Sequence, residues 1–409
     1  MTVVELTIDT IAAGGDGIGR SDGIAVFVPR TAPGDRVRVA IEPRKRFARG
    51  TLEEVVTPSP ERIDPLCYHY RVDKCGGCQI QHLKYDAQLD AKRSIIRDTI
   101  TRIGKRAVEK PEIERSDSQW RYRRKLTLAM KRRANGKWVI GLHPFDDPGR
   151  VFQLADCPIT EERLIIAWRA VMAASDFFPP ADELRASVRL VENGTSIVME
   201  GGNEWPKRSE FFRAIPEAVS LWWKQAHRAR VLVAQRGSVA ADASFIQVNT
   251  AVGERLHAYV LERARAHHPR VVIDAYAGSG ATAIPLAQHG AKVVAIESDR
   301  EAVEYCAARL PEGSRAVAAR VEDVLAQTLP ADVVLINPPR AGVHEQVTAA
   351  LQTTETAPRA VIYVSCDPAT LARDLSRMPR YRIASIRAFD MFPQTAHVET
   401  VCELVPEAA

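Results

Sequence analysis

Two β-branched apolar runs, Asp332 to Ile336 and Arg359 to Val364, lie roughly twenty residues apart and each breaks off into a polar, proline-bearing loop. The loops read Asn337-Pro338-Pro339-Arg340 and Ser365-Cys366-Asp367-Pro368. Runs this apolar are buried strands, and an open α/β sheet holds its ligands where such strands end. Cys366 is therefore a thiol delivered to a strand's carboxyl end, beside a second loop of the same kind. That placement suits a nucleophile. The competing reading is core packing, because free cysteine is among the most buried residue types.

The alternation of strand and helix extends upstream. Val271 to Ile273 and Lys292 to Ile296 are further strands, and helices are expected at Ala281 to His289 and Arg300 to Leu310. Residues 241–409 thus read as a doubly wound α/β domain. Its first strand runs into Asp274-Ala275-Tyr276-Ala277-Gly278-Ser279-Gly280, a glycine turn that lets the backbone approach a ligand at a helix N-terminus. The second strand ends at Glu297, placed for ribose hydroxyls. NAD and S-adenosylmethionine both fit this much. Asp274 ahead of the glycines and Ala283 at the third glycine's place favour the cationic S-adenosylmethionine. Asp323 lies near the expected end of the third strand, as an acid for the adenine or as a solvated loop acid.

Residues 1–58 read as a small all-β module, with short alternating runs separated by turns such as Gly14-Gly15-Asp16-Gly17 and Pro33-Gly34-Asp35. A barrel of the oligonucleotide-binding type fits, and so does a purely structural barrel. Residues 59–240 form an α+β middle region whose elements the pattern does not order, with a basic helix expected from Leu83 to Ile103. The net charge of +5 is unevenly spread: residues 92–150 hold 17 Lys and Arg against 7 Asp and Glu. With Trp120 and Tyr122 among the cations, nucleic acid is the expected partner. No run is long enough for a membrane span, and residues 1–5 do not resemble an export signal, so the expected compartment is the cytosol. Thiols there stay reduced, which makes Cys67, Cys75, Cys78 and Cys157 candidate ligands for zinc or a [4Fe–4S] cluster, while Cys306 and Cys402 read as core.

Five stretches, taken in order, resemble one family. They are Phe245-Ile246-Gln247-Val248-Asn249, the glycine turn from Asp274 to Gly280, Asn337 to Gly342, Val364 to Asp374, and Asp390 to Glu399. The family is the RNA uridine-5-methyltransferases, which make 5-methyluridine. The N-terminal module resembles a TRAM domain, and the cysteine segment resembles the iron–sulfur site of the branch that modifies 23S ribosomal RNA. The resemblance implies Cys366 as nucleophile and Glu399 as proton acceptor. It implies S-adenosylmethionine contacts from Gln247, Tyr276, Glu297 and Asn337, stacking of Phe245 on the target base, and a [4Fe–4S] cluster on the four cysteines, with zinc as the alternative. Two extra residues between Cys67 and Cys75 depart from that branch. Asn337 stands where the family usually has Asp, so a negative charge is lost there. Asn-Pro-Pro also marks amino-group methyltransferases, but a nucleophilic cysteine has no use in that chemistry. Transfer RNA as substrate, and a non-catalytic RNA-binding protein, are the other readings.

Overall fold

The computed structural model describes residues 2–237 and 247–407. At one end β1 (Thr2–Ile11), β2 (Gly17–Ser21), β3 (Ile24–Val28), β4 (Arg36–Pro43) and β5 (Ala48–Thr57) close into a barrel of order β1-β2-β3-β5-β4. Period-two alternation turns Leu6, Ile8, Val26, Val28, Val37 and Val39 into its core. Buried Asp35 fastens the barrel to the segment after β5, accepting hydrogen bonds from Ser59 N at 2.8 Å and from Arg62 Nε at 3.2 Å.

A single turn, α1 (Tyr68–Arg71), sits among the cysteine-bearing loops, and α2 (Tyr85–Arg102) is the expected basic helix. It is amphipathic rather than freely solvated: Ile96 and Ile100 enter the core under the C-terminal sheet. β6 (Glu112–Glu114) also leaves the middle region to become an edge of that sheet. Three residues carry too little periodicity for this strand to be read from sequence.

The middle region builds its own sheet. Its elements are β7 (Lys125–Arg132), β8 (Trp138–Leu142), β9 (Phe152–Gln153), α3 (Glu162–Ala173), β10 (Glu183–Val191), β11 (Gly194–Glu200), α4 (Arg208–Arg213), β12 (Ala218–Lys224) and β13 (Val231–Gln235). The strand order is β13-β12-β11-β10-β7-β8-β9. Leu126, Leu128, Met130, Ala186 and Val188 face one way and pack with Leu164 and Trp168 of α3 and Phe211 of α4. Phe211 has no exposed surface, and burial of a ring that size stabilises by about 2–3 kcal/mol.

The remaining chain contains α5 (Thr250–Ala266), β14 (Val271–Ala275), α6 (Ala283–Gln288), β15 (Lys292–Glu297), α7 (Arg300–Ala307), β16 (Arg315–Ala318), α8 (Val321–Thr328), β17 (Val333–Ile336), α9 (Glu345–Thr353), β18 (Ala360–Ser365), α10 (Pro368–Ser376), β19 (Tyr381–Phe389) and β20 (Glu399–Pro406). The sheet order is β16-β15-β14-β17-β18-β20-β19-β6. Both faces are covered, which is why the strands are apolar throughout: Ile273, Val334 and Val361 enter one core, Val272, Val333 and Ile362 the other. β14 to β18 are parallel, whereas β20 inserts antiparallel between β18 and β19. The doubly wound expectation did not include that insertion, which decides the geometry of the site. The chain reverses its direction of build between β14 and β17, leaving a crevice at the strands' carboxyl ends.

Candidate active site

Cys366 follows β18 at the carboxyl edge of the sheet. The turn that holds it is built from its neighbours: Asp367 N donates to Ser365 Oγ at 3.2 Å, and Asp367 Oδ1 caps α10 by accepting from Ala369 N at 2.8 Å and Thr370 N at 2.9 Å. Pro368 opens the helix, where a missing N–H costs nothing. The half-buried thiol therefore has a fixed address. Antiparallel pairing then brings in a residue from far downstream. Ser365, the last residue of β18, pairs with Thr400, so Glu399 at the start of β20 comes near Cys366, and its charge reaches the thiol. Burial pushes the Glu399 carboxyl up to about 7, opposed by the Arg340 guanidinium. Burial also pushes the Cys366 thiol up, and the Glu399 charge adds to this, while Arg340 pulls it down.

Arg340 reaches this place from the loop after β17. Gly342 N donates to Pro339 O at 2.8 Å, Arg373 Nη2 to Ala341 O at 2.8 Å, and Val343 N to Asp374 Oδ2 at 3.0 Å. The buried Tyr363 hydroxyl donates to the same Asp374 oxygen at 2.8 Å. Asp374 thus ties β18, α10 and the Arg340 loop together.

The cofactor crevice lies at the switch point. Gly278 and Gly280 have φ of +55° and +89°, a region that favours glycine. A Cβ on Gly280 would lie 2.6 Å from Cys306 Sγ, whereas one on Gly278 would project into open space. The first glycine from the strand therefore leaves bare backbone toward a ligand, and the second allows close packing. Glu297 Oε2 accepts from Gly278 N at 3.0 Å, and its other oxygen accepts from Asp299 N at 2.9 Å, so the acid is held at the lip of the turn. Asp274 is placed differently from an acid facing a ligand. It is fully buried, hydrogen-bonded by Thr282 Oγ1, and burial raises its carboxyl to about 6. Its position is one that organises the turn. Tyr276, half-buried at φ +64°, lines the approach to β17, where Asn337 is exposed and its N–H donates to Ala275 O at 3.3 Å. Asp323 lies on the exposed first turn of α8, past the third strand rather than at its end; the less exposed Glu322 beside it is the acid whose charge reaches Tyr276. Gln247 is half-buried against Gly253 of α5, and Phe245 lies outside the described residues.

Cys67, Cys75, Cys78 and Cys157 line one cavity of about 250 Å³. Burial pushes the Cys75 thiol up to about 12, and the neighbouring thiols of Cys157 and Cys67 add to it. Gly77 N donates to Cys75 Sγ at 3.4 Å, and His69 joins the two ends of the cage, accepting from Ala155 N at 3.0 Å through Nε2. Among the described residues no three His, Cys, Asp or Glu side chains could hold a metal ion. Tetrahedral zinc would need its sulfurs about 3.8 Å apart, from Zn–S bonds near 2.3 Å. Four thiolates are a donor set that zinc and an iron–sulfur cluster both take.

The loop between β19 and β20 is held from the N-terminal half. Fully buried Lys92 donates to the Asp390 carboxylate and, at 2.9 Å, to Phe392 O, while Tyr85 Oη donates to Asp390 Oδ2 at 2.8 Å. Gln88 exchanges two hydrogen bonds with Gln394, at 3.0 and 2.9 Å. Lys92 and Arg340 are structural and electrostatic partners of the site that composition and motif reading left unassigned. Arg340 could have been singled out from its place in Asn-Pro-Pro-Arg; nothing local marks Lys92.

Bare glycine backbone and a ribose-ready acid at the switch point, a strand-end thiol and a basic, barrel-bearing N-terminal half place this protein among the S-adenosylmethionine-dependent methyltransferases of RNA. Residues 307–405 match the family model described as tRNA (Uracil-5-)-methyltransferase, and residues 2–52 match the TRAM domain. An uncharacterized RNA methyltransferase of Thermosynechococcus vestitus is 31% identical, covering 98% of this chain and 97% of its own; another, from Nitratidesulfovibrio vulgaris, is 32% identical over 97% and 95%. The crystal structure of Pyrococcus abyssi tRNA (uracil-54, C5)-methyltransferase in complex with S-adenosyl-L-homocysteine superposes with a TM-score of 0.71 at 24% identity, covering 98% of this chain and all of that one. The chain belongs to the RNA uracil-5-methyltransferase family.

Proposed function

We propose that the protein methylates carbon 5 of a specific uridine in RNA through a covalent adduct on Cys366 that Glu399 resolves. The observation carrying this reading is the β18–β20 pairing that brings Glu399 near Cys366, where its charge reaches the thiol, with a carboxyl raised to about 7. Uracil carbon 5 is a weak nucleophile. Addition of the Cys366 thiolate to carbon 6 forms an S–C bond and pushes the ring's electrons onto oxygen 4, so carbon 5 becomes enolate-like. S-adenosylmethionine supplies the electrophilic methyl group. Once carbon 5 holds that methyl, it carries one proton too many. Glu399 takes the proton, the electron pair reforms the 5,6 double bond, and the C–S bond breaks to return the thiolate. Arg340 supports the thiolate, since its charge opposes the burial that keeps the thiol protonated. Glu297, Tyr276 and Gln247 would hold the cofactor over bare Gly278, with Asn337 at the end of β17. Asp274 would set the turn and Asp323 would stand further out. Phe245 would stack on the target base, which has to leave its own stack to reach a thiol at this depth.

The four cysteines would hold a [4Fe–4S] cluster, a reading supported by the resemblance of the cysteine segment, with zinc as the alternative. The cluster would crosslink the loops around α1 to the loop after β9. The resemblance of the cysteine segment and of the barrel to the branch that modifies 23S ribosomal RNA supports that RNA as substrate. Transfer RNA is the second reading, favoured by superposition on the archaeal tRNA (uracil-54, C5)-methyltransferase over nearly the whole chain.

Mapping 5-methyluridine in total RNA from cells with and without the protein decides between the two RNAs. RNA bearing 5-fluorouridine at the mapped position should give a denaturation-resistant protein–RNA adduct, and Cys366→Ala should abolish it. Wild-type protein that methylates without ever forming an adduct would sink the mechanism.

A further inference from the structure

The cavity lined by the four cysteines does not end at them. Its far wall comes from the catalytic sheet's loops, with Arg340, Phe392, Thr395 and His397, and Arg123 lines it from the middle region. The arginines nearby that do not line the cavity are engaged elsewhere. Arg121 forms a two-point ion pair with Asp156 at 3.0 and 2.9 Å, Arg124 lies 3.1 Å from Glu161, and Arg30 donates to backbone carbonyls such as Cys75 O at 3.2 Å. Arg123 and Arg340 differ. Among the described residues neither forms an ion pair; Arg123 gives only its Nε–H, to Lys125 O at 2.9 Å, and the Arg340 guanidinium has no hydrogen bond.

Two guanidinium groups without an ion-pair partner, from separate parts of the fold, thus line one cavity. Arg340 is adjacent to Cys366 and Glu399. Arg123 is held rigidly: its N–H donates to Ile159 O at 2.8 Å, and its carbonyl accepts from Glu161 N at 3.0 Å. His397 lines the same cavity, its imidazole pushed down by burial first and then by the charges of Arg340, Lys92 and Arg123. It can donate one N–H without needing a counter-charge. A planar fork of donors from each side is what a phosphate's oxygens take.

We propose that Arg123 and Arg340 form a clamp for a phosphate of the RNA backbone directly flanking the target uridine. The clamp rests on the uridine-methylation reading above, since that reading puts the reacting ring beside Arg340. It adds a consequence. Arg123 is paired with the residues just after Cys157, so the arm that grips the phosphate is aligned by the cysteine cage. The cage would then matter to RNA binding rather than to the chemical step.

The test is a cycle between protein and RNA, performed in Cys366→Ala protein so that binding is read without chemistry. The probe is a synthetic RNA centred on the mapped uridine, with a neutral methylphosphonate replacing one flanking linkage at a time. For one linkage the neutral replacement should weaken binding about tenfold, as expected for a charged hydrogen-bonded contact. In the additional variant Arg123→Gln that linkage should cost distinctly less, since only Arg340 still meets the phosphate, and the slope of log affinity against log salt should be shallower by about 1. Arg123→Lys should restore the slope and only part of the affinity. Iron and sulfide, or zinc, should be retained in both variants. If every flanking linkage weakens binding equally in the Arg123 and Arg123→Gln proteins, the clamp is refuted. Loss of the bound metal in Arg123→Gln without any linkage-specific effect would refute it as well, assigning Arg123 to the cage alone. These failures are separate from failure of the parent reading, which shows as wild-type protein that gives no mapped uridine or no 5-fluorouridine adduct.

Discussion

Replacing Glu399 with Gln should stabilise the protein while stopping turnover after methylation, and the structure sets both magnitudes. The carboxyl stands at about 7 instead of 4.5 because it is buried. Between those values the folded state binds a proton that the unfolded state has lost, so stability falls as pH rises. At about 1.4 kcal/mol per unit, ionised Glu399 costs roughly 3 kcal/mol by pH 8 and about 1.4 kcal/mol at pH 5.5. Gln has nearly the same shape and no charge. Urea unfolding of wild type and Glu399→Gln should therefore differ little near pH 4.5 and diverge to about 3 kcal/mol at pH 8, with the variant the more stable. Kinetically, only the ionised carboxylate can take the carbon 5 proton. Release of the methylated adduct in wild type should rise about tenfold from pH 6 to pH 8, with its midpoint near 7. The variant should accumulate a methylated, covalently trapped RNA, visible as a slow-migrating band that carries the label from methyl-labelled S-adenosylmethionine. A variant that releases product at the wild-type rate, or a wild-type release rate indifferent to pH across that range, would refute the assignment of Glu399 as the base. Equal stabilities at pH 8 would refute the buried-carboxylate argument.

Two further expectations concern parts of the protein away from the reacting atoms. Lys92→Met leaves the Asp390 carboxylate buried without its cation and should cost about 3–5 kcal/mol in urea unfolding; Lys92→Met with Asp390→Asn should recover part of that, and a single variant as stable as wild type would contradict the ion pair. Anaerobically purified protein should be brown, with iron and sulfide that Cys78→Ser loses, whereas stoichiometric zinc in a colourless sample would establish the alternative metal.

The strands at Lys292 to Glu297 and Ala360 to Ser365, and the thiol after the second, are legible in sequence because a strand covered on both faces must be apolar along its whole length. The glycine turn is legible because close backbone approach excludes side chains. Asp274 shows the limit of the same reasoning. Its position at a strand end suggests a ligand contact, and the fold also gives it the hydroxyl of Thr282, eight residues on, a partner that local pattern cannot reveal. Asp323 is displaced for a simpler reason. The third strand, Arg315–Ala318, is short, so the acid falls into the next helix.

The larger gap lies in what brings Cys366 and Glu399 together. Their roles come from motif resemblance, but their proximity depends on β20 running antiparallel to β18, and no periodicity distinguishes an inserted antiparallel strand from one more parallel strand. The loop before β20 is shaped by partners three hundred residues away in the chain, Tyr85, Gln88 and Lys92, each of which reads in sequence as one more polar position on a basic helix. Lys92 in particular adds to the local positive charge that suggests RNA binding, yet it has no exposed surface and cannot meet RNA at all. The count of basic residues therefore overstates the nucleic-acid surface by this position and understates the catalytic scaffold by the same one. Arg123 and Arg340 are the opposite case: among the described residues neither guanidinium has an ion-pair partner, and both line one cavity. Charge that the fold pairs is scaffold, and charge that it leaves without an ion-pair partner in a cavity lining is what an anionic polymer has to meet. Only the folded chain separates the two.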